Sequence, residues 1–287
     1  MTNTEKPTPL PGEDERTRLL HRIQPLSDWP TIDDPVEPLT VVAAIDVETD
    51  GLDSTEDFVI QIAVALIEVD AQGRIVRIIG KGQGTQDRGR PLPLRIKTLT
   101  GLTDEALAGT QIDVPKLTAF TGRAQAILAH NAGFDSGFCR RLLPGIAHLP
   151  WICSFRDVDW QQHGFDGAKL GHLLMQQGLF APTAHNAMAD VEATINLLAS
   201  ELPNGKTVIA EALETARTPT VRVDAENAPY AQKGELKRRG YRFDWGKKVW
   251  WIEVCEEQAI YEVSWLQRTM PKVRPVQTPV TWHNRHC

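Results

Sequence analysis

The architecture of this chain follows from one short run, Val41-Val-Ala-Ala-Ile-Asp46-Val-Glu48, in which apolar residues lead into two acidic ones. Its length and β-branched content predict a buried strand. Successive side chains of a strand point to opposite faces of the sheet, so Asp46 and Glu48 share one face. Both residues stand at the carboxyl end of the strand, where open α/β sheets place their ligands.

The segments around this strand predict an α/β fold with a mixed β-sheet. Two more strands are expected at Phe58–Val69 and Arg74–Ile79, followed by a polar, glycine-rich loop over Gly80–Gly89. Adjacent strands followed by alternating strands and helices indicate a mixed sheet flanked by helices. Short strands are expected at 126–129 and 151–154, and helices at 104–107, 114–122, 135–143, 170–177 and 187–200.

The domain organisation is predicted from composition. Residues 1–36 are rich in Pro, Asp, Glu, Thr and Arg and are expected to form a flexible N-terminal leader. Residues 37–202 hold the α/β domain, and residues 203–220 form a linker with a short helical piece. A small, basic and aromatic α+β module is expected over residues 221–265, followed by a proline-rich flexible tail over residues 266–287.

The bulk composition excludes several classes of protein. The chain lacks an apolar run of membrane-spanning length and an apolar signal segment, which predicts a cytoplasmic location and no membrane partner. The four cysteines show no paired C-x-x-C spacing, which argues against a zinc site or a disulfide framework. Residues 1–200 hold 17 Lys/Arg and 26 Asp/Glu, whereas residues 201–287 hold 14 and 11. An acidic domain whose carboxylates bind metal can still accept a phosphate substrate, so charge does not exclude nucleic acid.

Four carboxylates and one histidine fall in three separate segments. After the run at Asp46 and Glu48 come His130-Asn-Ala-Gly-Phe-Asp135 and His185-Asn-Ala-Met-Ala-Asp190. Taken singly, Asp135 fits an ordinary helix cap and Asp190 an exposed helical carboxylate. If the carboxylates cluster in space, their mutual repulsion implies bound cations, and a histidine beside them indicates water activation.

The first segment has a competing interpretation as a calcium site. Residues 46–57 resemble a calcium loop of the EF-hand type, because acidic residues alternate at its start and Asp57 stands in the last ligand position. Three features argue against that interpretation. A strand rather than a helix precedes the loop, Asp53 stands where an apolar residue is usual, and the last ligand is Asp rather than Glu.

Together, the order, residue types and spacing of the three segments resemble the DEDDh 3′–5′ exonucleases. This family includes proofreading subunits of bacterial replicative polymerases and related repair and RNA-trimming nucleases. Asp46 and Glu48 match its first motif, Asp135 its second, and His185 with Asp190 its third. The resemblance covers about residues 40–200 and implies the ribonuclease-H-like mixed sheet of the family.

The resemblance also implies a set of roles. Two ions, Mg²⁺ or Mn²⁺, would be bound, with Asp46 bridging both, Glu48 and Asp190 completing the shell of the first, and Asp135 supporting the second. His185 would take the proton from the attacking water.

By the same resemblance, a further set of residues is expected to contact the terminal nucleotide: Thr49, Gly51, Leu52, Asn131 and Phe134. Ordinary packing is the alternative for Leu52 and Phe134. The chain departs from its relatives at Thr100, where many of them have a histidine, so contacts from that loop do not carry over.

The C-terminal module interleaves basic and aromatic residues. A short helix ending at Gly240 is expected to precede a hairpin that turns at Asp244–Lys247. Two interpretations stay open: a surface for single-stranded nucleic acid, or tryptophans that form the core of a small domain.

The expected function is metal-dependent 3′–5′ exonuclease activity on single-stranded DNA, in proofreading or repair. A DNA polymerase or another repair protein is a candidate partner. Two alternatives remain, namely RNA trimming by the same chemistry and a non-catalytic nucleic-acid or polymerase-binding module.

Overall fold

The apolar run at Val41 forms the central strand of a five-stranded sheet in the computed structural model, which describes residues 17–286. These residues divide into two units, and the division falls between Leu213 and Glu214. None of the described helices is long and apolar enough to cross a membrane.

The first unit holds most of the regular structure. Its strands are β1 (His21–Arg22), β2 (Thr40–Thr49), β3 (Val59–Val69), β4 (Ile75–Thr85), β5 (Ala126–Ala129), β6 (Trp151–Cys153) and β7 (Leu179–Phe180). Its helices are α1 (Leu94–Thr100), α2 (Asp104–Leu107), α3 (Val114–Thr121), α4 (Ala132–Leu142), α5 (Leu170–Gln176) and α6 (Ala187–Ala199), and α7 (Val208–Arg217) runs across the division.

The large sheet is mixed, with the order β4-β3-β2-β5-β6. Strand β3 pairs antiparallel with both β2 and β4, whereas β5 and β6 continue the sheet in parallel register. Helices flank this sheet, so the predicted mixed α/β fold is confirmed.

Strand β2 is buried because helices pack on both faces of it. Ala43, Ile45 and Val47 belong to an apolar core that includes Phe138 of α4. Helix α6 also packs against β2 and β3. The alternation along the strand therefore turns Asp46 and Glu48 away from the α4 core, toward the face on which α6 lies.

Strand β4 extends through the segment that was predicted to be a loop. Its glycines line the side on which α3 and the segment before it pack, and a Cβ at Gly82 would lie 3.4 Å from Leu117. At Gly84 a Cβ would lie 3.3 Å from Ile112. Glycine weakens a strand by itself, but here it lets neighbouring segments approach the strand closely, which overrides that preference.

The N-terminal leader was predicted to be flexible, and this prediction is wrong for its described part. Strand β1 pairs in parallel with β7, and Ile23 and Leu26 are buried. The Asn196 side chain accepts from the Gln24 N–H at 2.8 Å and donates to its carbonyl at 2.9 Å. Residues 1–16 lie outside the described range.

The second unit is an α+β structure with its own core. It contains β8 (Thr220–Glu226), α8 (Lys233–Arg238), β9 (Arg242–Asp244), β10 (Val249–Val254), α9 (Glu256–Thr269) and β11 (Arg274–Val280), and its antiparallel sheet has the order β11-β8-β10-β9. The prediction of a flexible tail over 266–287 is wrong for its described residues, 266–286, because α9 continues to Thr269 and β11 pairs with β8. Pro275 and Pro279 are tolerated because β11 is an edge strand.

Candidate active site

The structure brings the three acidic segments together at one end of β2. One ligand atom from each of Glu48, His185 and Asp190 lies within 4.8 Å of the others. Asp135 joins them from the first turn of α4, where its Oδ1 accepts a hydrogen bond from the Val47 N–H at 3.2 Å. Helix α4 begins at Ala132, three residues earlier than predicted.

The start of α6 is held in place by two hydrogen bonds. Asn186 caps the helix by accepting from the Ala189 N–H at 3.3 Å, and the Ala187 N–H donates to Gln61 Oε1 on β3 at 3.0 Å. His185, just before the cap, has a φ of 58°. Its backbone N–H donates to Asp190 Oδ2 at 2.9 Å, so the turn that presents His185 also orients the Asp190 carboxylate.

Burial raises the pKa values of all four carboxylates, and neighbouring carboxylates raise those of Asp46, Glu48 and Asp135 further. Burial, followed by the charges of Asp135, Asp190 and Glu48, raises the pKa of Asp46 well above its ordinary range. Burial and the charge of Asp190 raise the pKa of Glu48 to about 7. Burial raises the pKa of Asp135 to about 8, and that of Asp190 is also raised by burial.

The raised pKa values indicate that these buried carboxylates carry an excess of negative charge that the protein does not balance. Carboxylate oxygens are the ligands that hard divalent cations prefer, and a bound cation would reverse the repulsion that raises these pKa values. The cluster of Glu48, His185 and Asp190, with Asp46 and Asp135 beside it, could therefore hold a divalent metal ion.

The other histidine of the motifs, His130, has a structural environment. Its Nε2 lies 2.9 Å from the Ala168 carbonyl oxygen and its Nδ1 lies 2.9 Å from Ser154 Oγ. A carbonyl oxygen only accepts, so Nε2 carries the proton and Nδ1 accepts from the hydroxyl. Burial lowers the pKa of His130 to about 4, so the ring is neutral and ties the end of β5 to the segments after β6.

The turn after β2 is braced by Asp50, which excludes the calcium-loop interpretation. Asp50 Oδ2 accepts from Arg88 at 2.7 Å and from Arg90 at 2.9 Å, and its Oδ1 accepts from the Phe58 N–H at 2.7 Å. Both oxygens are thus engaged by cations or backbone. A Cβ at Gly51 would lie 2.0 Å from Asp57 Oδ2, so the chain needs glycine there for close packing inside the turn.

The other residues expected to touch substrate lie in different environments. Thr49 is buried and its hydroxyl donates to the Gly51 carbonyl at 2.5 Å, whereas Leu52 is 75% exposed. Asn131 is exposed with a φ of 74°, and Phe134 is half-buried against the core around α4. These positions alone do not test binding of a nucleotide, so their role stays a prediction.

Several residues beside the site were not expected from the sequence. The Arg88 guanidinium lies 3.4 Å from the centroid of the Phe58 ring, and that of Arg141 lies 4.6 Å from it. Gln61 anchors α6. These residues belong to no motif, and the available signal was the spacing of Arg88 and Arg90 at the end of the segment 80–89, which was predicted to be a loop.

Comparison with known proteins identifies the family. The family model RNase_T, described as "Exonuclease", matches residues 43–198. The PolC-type DNA polymerase III proteins of Streptococcus suis and Streptococcus thermophilus are each 33% identical to this chain over 164 residues, which is 53% of this chain. The matched segment is 10% of each of these proteins, so this chain spans about a tenth of the length of the curated relatives it matches.

Among solved structures, Escherichia coli exonuclease I in complex with a dA16 oligonucleotide has a similar fold, with a TM-score of 0.50 and 19% identity. The similarity covers 64% of this chain and 48% of that one. The family model spans more than half of the chain, and its motifs meet at one site in the fold. The chain therefore belongs to the exonuclease family, and its predicted resemblance to the DEDDh 3′–5′ exonucleases is confirmed.

Proposed function

We propose that this chain removes nucleotides from the 3′ end of single-stranded DNA during proofreading or repair. The convergence of four carboxylates and His185 at the end of β2 carries the proposal. DNA as the substrate is supported by the named activity of the PolC-type relatives, which are DNA polymerases, and by the oligonucleotide bound to exonuclease I.

The acidic residues would hold two ions, Mg²⁺ or Mn²⁺. Asp46 would contact both ions. Glu48 and Asp190 would complete the coordination of the first ion, and Asp135 would support the second ion. When bound, two such ions neutralise charge on the phosphate and lower the pKa of a bound water. The donor set fits this role because carboxylate oxygens dominate it and, within the described residues, no Lys or Arg forms an ion pair with Asp46, Glu48, Asp135 or Asp190.

The protein's own contribution to the chemistry is centred on the turn before α6. His185 is exposed, and a ring nitrogen approaches Glu48 and Asp190 within 4.8 Å, so it can accept a proton from a water held at the carboxylates. The same turn supplies the N–H that orients Asp190. Movement of this turn would therefore disturb the proton acceptor and one metal-binding carboxylate together.

The test follows the shortening of 5′-labelled single-stranded DNA, the same sequence in RNA, and primer–template duplexes with matched or mismatched 3′ ends. Reactions contain Mg²⁺, Mn²⁺ or EDTA. We expect a metal-dependent ladder on single-stranded DNA, and faster removal of a mismatched than of a matched terminus.

Asp46→Asn and His185→Ala are the informative variants, and exposed residues away from the site provide their controls, Asp33→Asn and His148→Ala. Normal activity of both site variants would contradict the mechanism. Equal rates on matched and mismatched termini would contradict proofreading, and preferential shortening of RNA would reassign the substrate.

A further inference from the structure

The second unit places its tryptophans in three different environments. Trp250 and Trp265 pack against the apolar core of that unit. Trp251 lies on the other side of the sheet between two guanidinium groups, 4.4 and 4.6 Å from its ring centroid. Trp245, in the turn between β9 and β10, is 83% exposed. Trp250 and Trp265 therefore serve the core of the unit, and Trp245 is the most exposed of these four rings.

Trp245 is anchored along one side and open on the other. Its ring meets Phe243 at 5.0 Å between centroids, and Phe243 in turn meets Trp250 at 5.3 Å. This row of rings fixes the base of the turn to the core. Its 83% exposure leaves an aromatic surface in water on which a planar ligand can stack.

The turn that carries Trp245 has unneutralised positive charge. Lys247 and Lys248 are exposed, and neither forms an ion pair with a carboxylate among the described residues. The one acidic residue of the turn, Asp244, accepts from Arg222 at 2.8 Å and from the Lys247 N–H at 3.0 Å. The local balance therefore favours an anionic partner.

The charges on the outer face of the sheet are different, because they are paired. Arg222 contacts Asp224 at 2.7 Å and Arg274 contacts Glu226 at 2.7 Å. Arg285 contacts Glu253 at 3.0 Å. A phosphate would have to displace a carboxylate at each of these positions, whereas the turn offers cations without that competition.

We propose that the hairpin turn Asp244–Lys248 binds single-stranded nucleic acid, with a base stacked on Trp245 and the flanking phosphates contacted by Lys247 and Lys248. A base in a duplex has both faces covered by its neighbours, so a stacking partner selects unpaired strands. This surface lies in the second unit, outside the segment that matches the exonuclease family, and its function goes beyond hydrolysis at the carboxylates.

The test measures binding of the full chain to fluorescent oligothymidylate, to oligouridylate and to a blunt duplex, all in EDTA so that cleavage does not enter. The variants are Trp245→Ala and the double change Lys247→Ala with Lys248→Ala. Matched controls in the same unit are Tyr261→Ala, which removes another exposed ring, and Lys272→Ala, which removes another exposed cation. Circular dichroism verifies that each variant is folded.

We expect Trp245→Ala to weaken single-strand binding by about 5- to 100-fold. The double lysine change should make the slope of log Kd against log salt shallower by roughly 0.7 for each phosphate that the variant no longer neutralises. Similar affinities for the DNA and RNA strands would show that the turn reads the features they share, whereas a clear difference would show which sugar it prefers.

The proposal is overturned if Trp245→Ala binds like the unmodified chain, if the control variants lose as much affinity, or if the duplex binds as tightly as the single strand. Preferential binding of an acidic polypeptide such as polyglutamate would assign the turn to a protein partner instead. Because binding is measured without metal, failure here leaves the exonuclease assignment untouched, and an inactive site would leave this surface intact.

Discussion

His185 combines its proposed role as proton acceptor with an unfavourable backbone conformation. Its φ of 58° lies in the left-handed region, which disfavours residues with a Cβ by roughly 1–2 kcal/mol. The conformation persists because the His185 N–H is bonded to Asp190 and α6 is capped directly afterwards. The backbone here is thus suited to glycine, while the chemistry needs an imidazole.

We predict that His185→Gly and His185→Ala separate these two requirements. Both should lower kcat by about 100- to 10,000-fold, since both remove the proton acceptor. The free energy of unfolding of His185→Gly should exceed that of His185→Ala by about 1 kcal/mol, because glycine accepts the left-handed conformation. His185→Gly should therefore unfold at a higher urea concentration. Equal stability of the two variants in urea melts would contradict this account.

The crowded carboxylates predict how stability depends on pH in the absence of metal. Raised pKa values mean that the folded chain binds protons at Glu48 and Asp135 that the unfolded chain has already released. Between the ordinary carboxyl range and about pH 8, stability should therefore fall as pH rises. In EDTA, the Tm should be lower at pH 8 than at pH 5.

Asp46→Asn tests the origin of this pH dependence. Removal of one charge should flatten the dependence and raise the free energy of unfolding in EDTA at pH 8 by about 1–3 kcal/mol. Saturating Mn²⁺ should restore the stability of the unmodified chain at pH 8. A Tm that rises with pH in EDTA, or an Asn variant less stable than its parent there, would show that the carboxylates do not repel as described.

At the scale of elements, Asp50 joins the end of β2 to the segment after β4. Its side chain is 2% exposed and that of Arg88 10%, whereas that of Arg90 is 60% exposed. Asp50→Ala would leave Arg88 buried without its charge partner and should lower the free energy of unfolding by about 3 kcal/mol. Arg90→Ala should lower it by less than about 1 kcal/mol.

The control for this prediction is the pair of Arg77 with Glu68, at 2.8 Å, in which the Arg77 side chain is 54% exposed and would be solvated by water if Glu68 were removed. Glu68→Ala should change the unfolding free energy by less than about 1 kcal/mol. Chemical denaturation of the three variants measures the order directly. An Asp50→Ala variant as stable as Glu68→Ala would mean that the turn is held by its backbone alone.

The sequence predicted the elements whose periodicity is strong and missed those fixed by tertiary contacts. Strand β2, with its buried apolar run, was predicted almost to the residue, and the acidic motifs predicted which side chains would meet. Strand β4 was predicted to end at Ile79 because its glycines suggest a loop. The reason for these glycines is the close packing of Leu117 and Ile112, which come from another part of the chain. Strand β11 was missed because its prolines suit an edge, and edges are defined by pairing rather than by local sequence.

Parts of the site were unpredictable for the same physical reason. Gln61 stands on a buried strand with no polar neighbour in sequence to indicate its bond to α6. The partners of His130, Ser154 and Ala168, lie 24 and 38 residues away. Hydrogen bonds over such separations follow from the completed fold, so the neutral state of His130 could not be inferred from the motif that contains it.

At the scale of the whole molecule, the two units have separate apolar cores, one around Ile45 and Phe138 and the other around Val223 and Leu236. We predict two unfolding transitions in calorimetry. Mn²⁺ at about 100 times its Kd should stabilise only the first unit, by about 2.7 kcal/mol. Leu236→Ala should lower only the other transition, by about 2–5 kcal/mol. One transition that responds to both changes would show that the units unfold together.

The protonation of the carboxylate cluster has a consequence for how the site would take up divalent ions. At neutral pH, without metal, Glu48 and Asp135 are partly protonated, so an incoming cation must displace those protons. Metal uptake at this site would therefore be an exchange reaction, in which hydrogen ions leave as divalent ions enter. Each proton released makes the apparent metal affinity rise by up to about tenfold per pH unit, and mild acidification would empty the site long before the fold itself is lost.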